Sequence, residues 1–211
     1  MSRKPFRRAS DAERRADLIE AMLDCIAEGG IQNATVREVA DRAGVSGGLI
    51  RHYFATKEHL LHAAYRQTMA AMTEISAAAG MADDKSAREK LAGFVAACLM
   101  PPMIDARRLS LWAAFIAMAR IDPAMGAIHR ESYLEYRALI ERLLAGAFRE
   151  AGRDVAAAGI RRLAIEINAV LDGLWLEGSL AGDIFEDREL LRAGLHSVGA
   201  ITGLRLEDFE G

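Results

Sequence analysis

The chain has 211 residues, 52% of them hydrophobic, 27% charged and 6% aromatic, with a formal net charge of -3. This composition is that of a globular protein rather than a disordered or collagen-like chain, and a chain of this length buries roughly 70% of its unfolded surface without needing a disulfide or a metal. No uncharged apolar run of about 18 residues occurs, which argues against a membrane span, and the basic start MSRKPFRRAS lacks the apolar stretch of a secretory signal.

The charge is unevenly spread. Residues 1–66 carry 11 Lys/Arg against 9 Asp/Glu, whereas the remainder carries 16 against 21. Arg3, Lys4, Arg7, Arg8, Arg14 and Arg15 crowd the first fifteen positions. A basic arm over residues 1–10 on a mildly basic unit suits a polyanion partner; a merely solvated tail is the alternative. Cys25 and Cys98 are far apart and form no CxxC, so they read as two buried thiols in a reducing cytoplasm.

Nearly every segment reads as helix. Residues 11–28 place Leu18, Ile19, Met22, Leu23 and Ile26 on one stripe, ended by Gly29 and Gly30. Thr35 and Glu38 form a T-x-x-E capping box for a short helix to about Ala43. Gly44 breaks that helix, Ser46 caps another through about His52, and Thr56 caps a long one to about Ala79. Gly80 to Asp84 reads as a hinge. Helices then follow at about 86–99, 105–120, 124–151, 155–181 and 187–203, separated by Pro and Gly. No stretch alternates with period two, so the fold class is all-α.

The segment from Thr35 to Lys57 has the layout of a helix-turn-helix. Gly44 supplies the turn and Ala40 is small enough for a helix crossing. Val39, Ala43, Val45, Ile50 and Phe54 are spaced to face a supporting helix. Gly47, Gly48, Arg51 and His52 then face outward, and such a helix start fits a major groove. Arg51 is the candidate for a base-edge contact, since its fork matches guanine O6 and N7. The two glycines weaken the helix by roughly 1 kcal/mol each relative to alanine, a loss that close backbone approach to DNA would offset.

The stretch VADRAGVSGGLIRHYFATKEHLL resembles the DNA-binding signature of the TetR family of bacterial repressors. VSGGLIRHYF, with VLDGLWLEGSLAGDIF near the C-terminus, is most similar to the BetI-like, choline-responsive subgroup. The resemblance implies a helix-turn-helix domain over residues 11–55, a connecting helix four over 56–80, and a ligand-binding and dimerisation domain over 81–211. It implies a homodimer on double-stranded DNA, at a palindromic operator, released by a small-molecule effector, in the cytoplasm at the nucleoid. By the same resemblance Thr35, Tyr53 and Lys57 touch phosphates, and Gly47, Gly48, Leu49, Arg51 and His52 face the groove, with Arg37 beside them. Helix N-termini at Thr35 and Thr56 suit the phosphate contacts, and Lys57 adds a point charge. Leu49 either meets a thymine methyl or packs inward.

The last two helices suit pairing. Ile160, Leu163, Ile167, Val170, Leu171, Leu174 and Leu176 cover more than one face, and Leu190, Leu191, Leu195, Val198, Ile201 and Leu204 follow. Gly194, Gly199 and Gly203 allow close helix approach; a monomeric helical core is the alternative. For the effector the body offers Trp112, Phe115, Met118, Tyr133, Asn168, Asp172 and Trp175, with Tyr136 nearby in sequence. Asp172 and Trp175 share a helix face, and a buried carboxylate beside tryptophan suits a cationic ligand. Otherwise the tryptophans are core or dimer packing and Asp172 pairs locally.

Other chemistry finds little support. His59 and His62 are three apart but lack a third ligand, so they read as solvent-exposed or phosphate-adjacent and no metal is expected. There is no GxSxG, HExxH or P-loop, hence no catalytic residues and no cofactor. A helical enzyme or carrier with a simple αα-corner is the second reading.

Overall fold

The computed structural model describes residues 10–80 and 84–206, so residues 1–9 of the basic arm lie outside the described residues. Among the described residues the chain folds into nine α-helices: α1 (Asp11–Asn33), α2 (Val36–Ala43), α3 (Gly47–Phe54), α4 (Lys57–Gly80), α5 (Ala87–Leu99), α6 (Ala106–Ala119), α7 (Pro123–Glu150), α8 (Ala157–Ala181) and α9 (Glu189–Thr202). One 3-10 turn, Gly182–Ile184, joins the last two.

Local chemistry explains most of these boundaries. Ser10 and Ser86 each form a complete capping box, with Glu13 and Glu89 respectively, which satisfies two otherwise unpaired N–H groups at each helix start. Asp122 receives the N–H groups of Ala124 and Met125 ahead of Pro123, which occupies the first helical position without needing a donor. Gly30 breaks α1 as expected, at φ 75°, but one further helical turn follows to Asn33. The capping box expected at Thr35 forms only its first half: Thr35 Oγ1 accepts from the Glu38 N–H at 3.2 Å. Ser46 stands at the N-cap of α3, yet its hydroxyl accepts no capping bond.

Two apolar cores organise the molecule. One gathers Leu18, Met22 and Ile26 of α1, Val39 of α2, Ile50 and Phe54 of α3, and Leu60, Leu61 and Tyr65 of α4. The other lies among α5, α7, α8 and α9 around Phe94, Ile140, Phe148, Ile167 and Leu195. The first core does not stop at residue 80. Leu111 and Phe115 of α6 and Met125 and Ile128 of α7 belong to it, so packing crosses the boundary expected between residues 80 and 81. Arg107 of α6 strengthens the junction by donating to Glu20 at 2.6 Å and Asp24 at 2.7 Å on α1.

The small residues of α9 act within the chain. A Cβ on Gly194 would lie 2.3 Å from Leu99 Cδ1 and 3.1 Å from Val95 Cγ1 of α5, so this glycine lets α9 approach α5. Gly203 ends α9 in the left-handed region, at φ 66°. We therefore expect Gly194→Val to be overpacked by roughly 1–3 kcal/mol. In a domain of this size that lowers Tm by several degrees, roughly 2–4 °C per kcal/mol, measurable by thermal melts monitored by circular dichroism.

Candidate functional site

The helix-turn-helix is built on Gly44, which sits at φ 64°, ψ 36° and closes α2 with bonds back to Ala40 and Asp41. Val39, Ala40, Ile50 and Phe54 are buried as the spacing demands, while Ala43 and Val45 are half-buried against the same core. Arg42 forks onto the Glu28 carboxylate and ties α2 to α1. Arg15 does the same for α3: its guanidinium lies 4.2 Å from the Phe54 ring centroid and donates to the Tyr53 carbonyl at 3.1 Å. Between α3 and α4 the chain turns through Ala55 at φ 51°, ψ -53°, with the Thr56 N–H bonded to the Phe54 carbonyl. This is a γ-turn, a strained conformation for a residue with a Cβ.

That scaffold presents one face to solvent. Arg51 and His52 are exposed, and Arg51 makes no ion pair among the described residues. Gly47 and Gly48 have room for a side chain: a Cβ on Gly47 would meet Val36 only at 3.6 Å and one on Gly48 would meet Ser46 at 3.7 Å. Among the described residues no neighbour stands close enough to either position to demand glycine. Leu49 is half-buried, Thr35 and Arg37 are exposed, and Lys57 opens α4 beside Thr56, whose hydroxyl accepts from the His59 N–H at 3.2 Å. Tyr53 is less free than expected. Its hydroxyl donates to Asp11 at 2.9 Å, and that carboxylate pushes the phenol pKa up.

His62 departs from its expected surface role. It is largely covered and its Nε2 lies 2.8 Å from Asp122 Oδ2, bridging α4 to the start of α7. This bond holds the Asp122 carboxyl below the usual carboxylate range, with help from the Met125 and Ala124 N–H groups. His59 is exposed, and no group of three potential metal ligands occurs among the described residues.

The body holds a cavity of about 400 Å³, open to solvent at Asp172, Gly173 and Leu176 of α8. Trp112 and Ile116 of α6 line it, with Tyr133 and Tyr136 of α7 and Asn168, Asp172 and Trp175 of α8. Five of the seven residues expected at an effector site therefore meet around one space. Phe115 and Met118 do not. Phe115 is fully buried on an adjacent face of α6, stacked on Tyr65 at 4.7 Å between centroids, and Met118 packs against that same N-terminal core. Leu111, Phe115 and Met118 form one i, i+4, i+7 stripe of α6, and Trp112 and Ile116, each one residue on from Leu111 and Phe115, form the neighbouring stripe that meets the cavity.

Sequence reasoning also missed contributors. Met69, Met72, Thr73 and Ser76 form a stripe on α4, and His129 and Ser132 precede Tyr133 on α7. The i, i+3, i+4, i+7 spacing of the α4 group was readable, but a search weighted to aromatic side chains passes over methionine and serine.

Within the cavity the polar groups are organised. Trp112 and Trp175 meet edge to face at 5.5 Å, and Trp175 Nε1 donates to the Met103 carbonyl at 3.0 Å. Asn168 donates to Asp172 at 2.7 Å. Asp172 is exposed rather than buried as expected, yet desolvation by the surrounding protein pushes its carboxyl pKa up, and the Asn168 bond opposes this only in part. The Cys98 thiol lies 3.2 Å from the Tyr136 hydroxyl and is pushed up by burial to about 11, so it is a protonated, inert thiol. Burial lowers the His129 pKa, and His129 Nδ1 lies 2.9 Å from the Tyr65 hydroxyl on α4.

Comparison with known proteins matches this architecture. Residues 18–64 match the family described as bacterial regulatory proteins, tetR family, and residues 87–202 match the C-terminal domain of BetI-type transcriptional repressors. The chain belongs to the TetR family of transcriptional regulators. The HTH-type transcriptional regulator BetI of Paraburkholderia phymatum is 32% identical over 85% of this chain and 88% of its own length. The crystal structure of a transcriptional regulator from Pseudomonas aeruginosa PAO1 is similar at a TM-score of 0.84, with 32% identity and 98% of each chain covered. A transcriptional regulator from Saccharomonospora viridis in complex with choline shares the fold at a TM-score of 0.72 and 21% identity, over 87% of this chain and 94% of that one. This TetR-family chain is a ligand-responsive DNA-binding repressor and not an enzyme. No helix among the described residues is long and apolar enough to cross a membrane.

The raised carboxyl of Asp172 has a measurable consequence. A folded-state pKa above the unfolded value of about 3.9 favours folding at low pH, and that contribution is lost as pH rises through the folded value. Asp172→Asn keeps the shape and removes the charge. The ligand-free variant is expected to melt above the parent at pH 7, and the two are expected to converge at pH 3 in parallel melts.

Proposed function

We propose that this regulator acts as a homodimer paired through α8 and α9, with the two copies of α3 entering successive major grooves of a palindromic operator. The observation that carries the DNA reading is the division of α3: Ile50 and Phe54 are locked into the core while Arg51 and His52 stand in solvent. Arg51 is the base reader, Gly47 and Gly48 admit the DNA backbone, and Leu49 packs at the groove edge. Thr35, Arg37, Tyr53 and Lys57 hold phosphates; Tyr53 exchanges its bond to Asp11 for one to the DNA. A single reader of this size binds weakly, so two are needed for a specific complex.

Pairing through α8 is supported by an apolar stripe left open on it. Ile165, Leu176 and Leu180 are 41%, 37% and 69% exposed and fall on one face with Ala169 and Gly173. Gly173 and Leu176 also line the cavity, so this stripe borders the open side of the cavity. We expect Leu180→Glu to shift the protein to a monomer in analytical ultracentrifugation and to weaken operator binding with it.

The effector we assign to the cavity is a cation, met by Asp172 beside Trp112 and Trp175. The choline bound by the S. viridis protein is of that charge class. Occupancy moves α6 and α7 against α1 and α4 and shifts the spacing of the two readers; a coupling of about 1–3 kcal/mol changes DNA affinity several-fold to about a hundredfold.

Gel shifts on the DNA upstream of its own gene test the reading. A retarded band that weakens between 50 and 200 mM salt is expected, because phosphate contacts release counterions. Arg51→Ala should cost about 1–3 kcal/mol and relax preference at one base, whereas Lys57→Ala should weaken all sequences alike and reduce the salt slope by about 1. Equal loss from both variants on every sequence would overturn these roles.

A further inference from the structure

The cavity carries more information than the sign of its ligand. Among the described residues its lining holds a single carboxylate, Asp172, and no Lys or Arg. The aromatic rings are not equivalent. Tyr133 has the Arg137 guanidinium 4.6 Å from its centroid and the His129 ring nearly parallel at 6.3 Å. A second cation is unwelcome at a ring already serving Arg137, so the cation subsite falls to Asp172 with Trp112 and Trp175. The rest of the wall is mainly apolar, with the deformable Met69 and Met72 and with Ile116 and Leu171, and carries the small hydroxyls of Thr73, Ser76 and Ser132 between them.

Size then discriminates. Along α4 the lining runs from Met69 to Ser76, about 10 Å of helix. A space of about 400 Å³ holds about thirteen water-sized groups at about 30 Å³ each. Choline has only about seven non-hydrogen atoms and would leave water against methionine and isoleucine, where apolar atoms are favoured.

We propose that the effector is an amphiphilic monocation, an ammonium head seated at Asp172 carrying an unbranched or aryl apolar tail along the Met69–Met72–Ile116 wall. This rests on the cationic-effector reading above and adds the tail as the source of affinity. The tail ends near His129, whose ring contacts Tyr65 of the N-terminal core, so a long ligand also reaches the part of α4 nearest the DNA reader.

The test is a titration of the full-length protein, followed by its tryptophan fluorescence, since both tryptophans line the cavity. The probes are alkyltrimethylammonium ions from tetramethylammonium to octyltrimethylammonium, with octanoate and octanol as controls. Affinity is expected to rise roughly threefold to fourfold per added methylene until the cavity is full, with octanoate not binding. Asp172→Asn should weaken octyltrimethylammonium at least tenfold and leave octanol unchanged. Met72→Trp, checked for a native melt, should shorten the preferred chain and leave tetramethylammonium unaffected. Tetramethylammonium binding as tightly as the octyl ion would overturn the tail while leaving the cationic reading intact. Octanoate binding as well as the octyl cation would overturn the cationic reading itself, and silence from every probe would overturn both.

Discussion

Phe115 and Ile116 are adjacent on α6 and face different interiors. Phe115 lies with Leu111 and Tyr65 in the core that carries the helix-turn-helix, and Ile116 lines the cavity beside Trp112. A helix apolar on two sides cannot shift at one without repacking the other, because close-packed interiors have no slack to absorb the movement. Arg107 extends the constraint from α6 to Glu20 and Asp24 of α1. The wall of the cavity and the support of the helix-turn-helix are thus one element.

Polar contacts reinforce the same junction. His62 with Asp122, and Tyr65 with His129, join the first half of α4 to the first turns of α7. The Tyr65 phenol is pushed up to about 12 by burial and stays a neutral hydrogen-bonding group at physiological pH. Of these four side chains only His129 also lines the cavity. Directed bonds such as these favour one alignment of helices over another more sharply than apolar packing does, and such a two-state alignment is what a ligand can bias.

The cavity also shows a local cost accepted for function. The protein around Asp172 raises its carboxyl pKa although the residue is exposed, and Asn168 relieves only part of that. A cation entering the space would supply the missing partner. The strained turn at Ala55 is a second such place, at the joint between α3 and α4.

Much of this was legible in the sequence for a simple reason: helix starts and stops are local chemistry. Gly44, Thr35, Thr56 and Asp122 act on neighbours a few residues away, so the helix-turn-helix and the nine-helix order among the described residues followed from pattern and caps. The outward position of Arg51 and His52 followed as well, since the burial of Ile50 and Phe54 fixes the face between them. Tertiary structure alone decided which side of each body helix met which neighbour. It placed Phe115 and Met118 away from the cavity, brought Met69, Met72 and Ser76 into it, set Gly194 against α5, and drew His62 to Asp122, a residue 60 positions away. A helix with apolar residues on several faces has no preferred inward direction of its own; the direction comes from the helices packed around it, and those contacts are long-range.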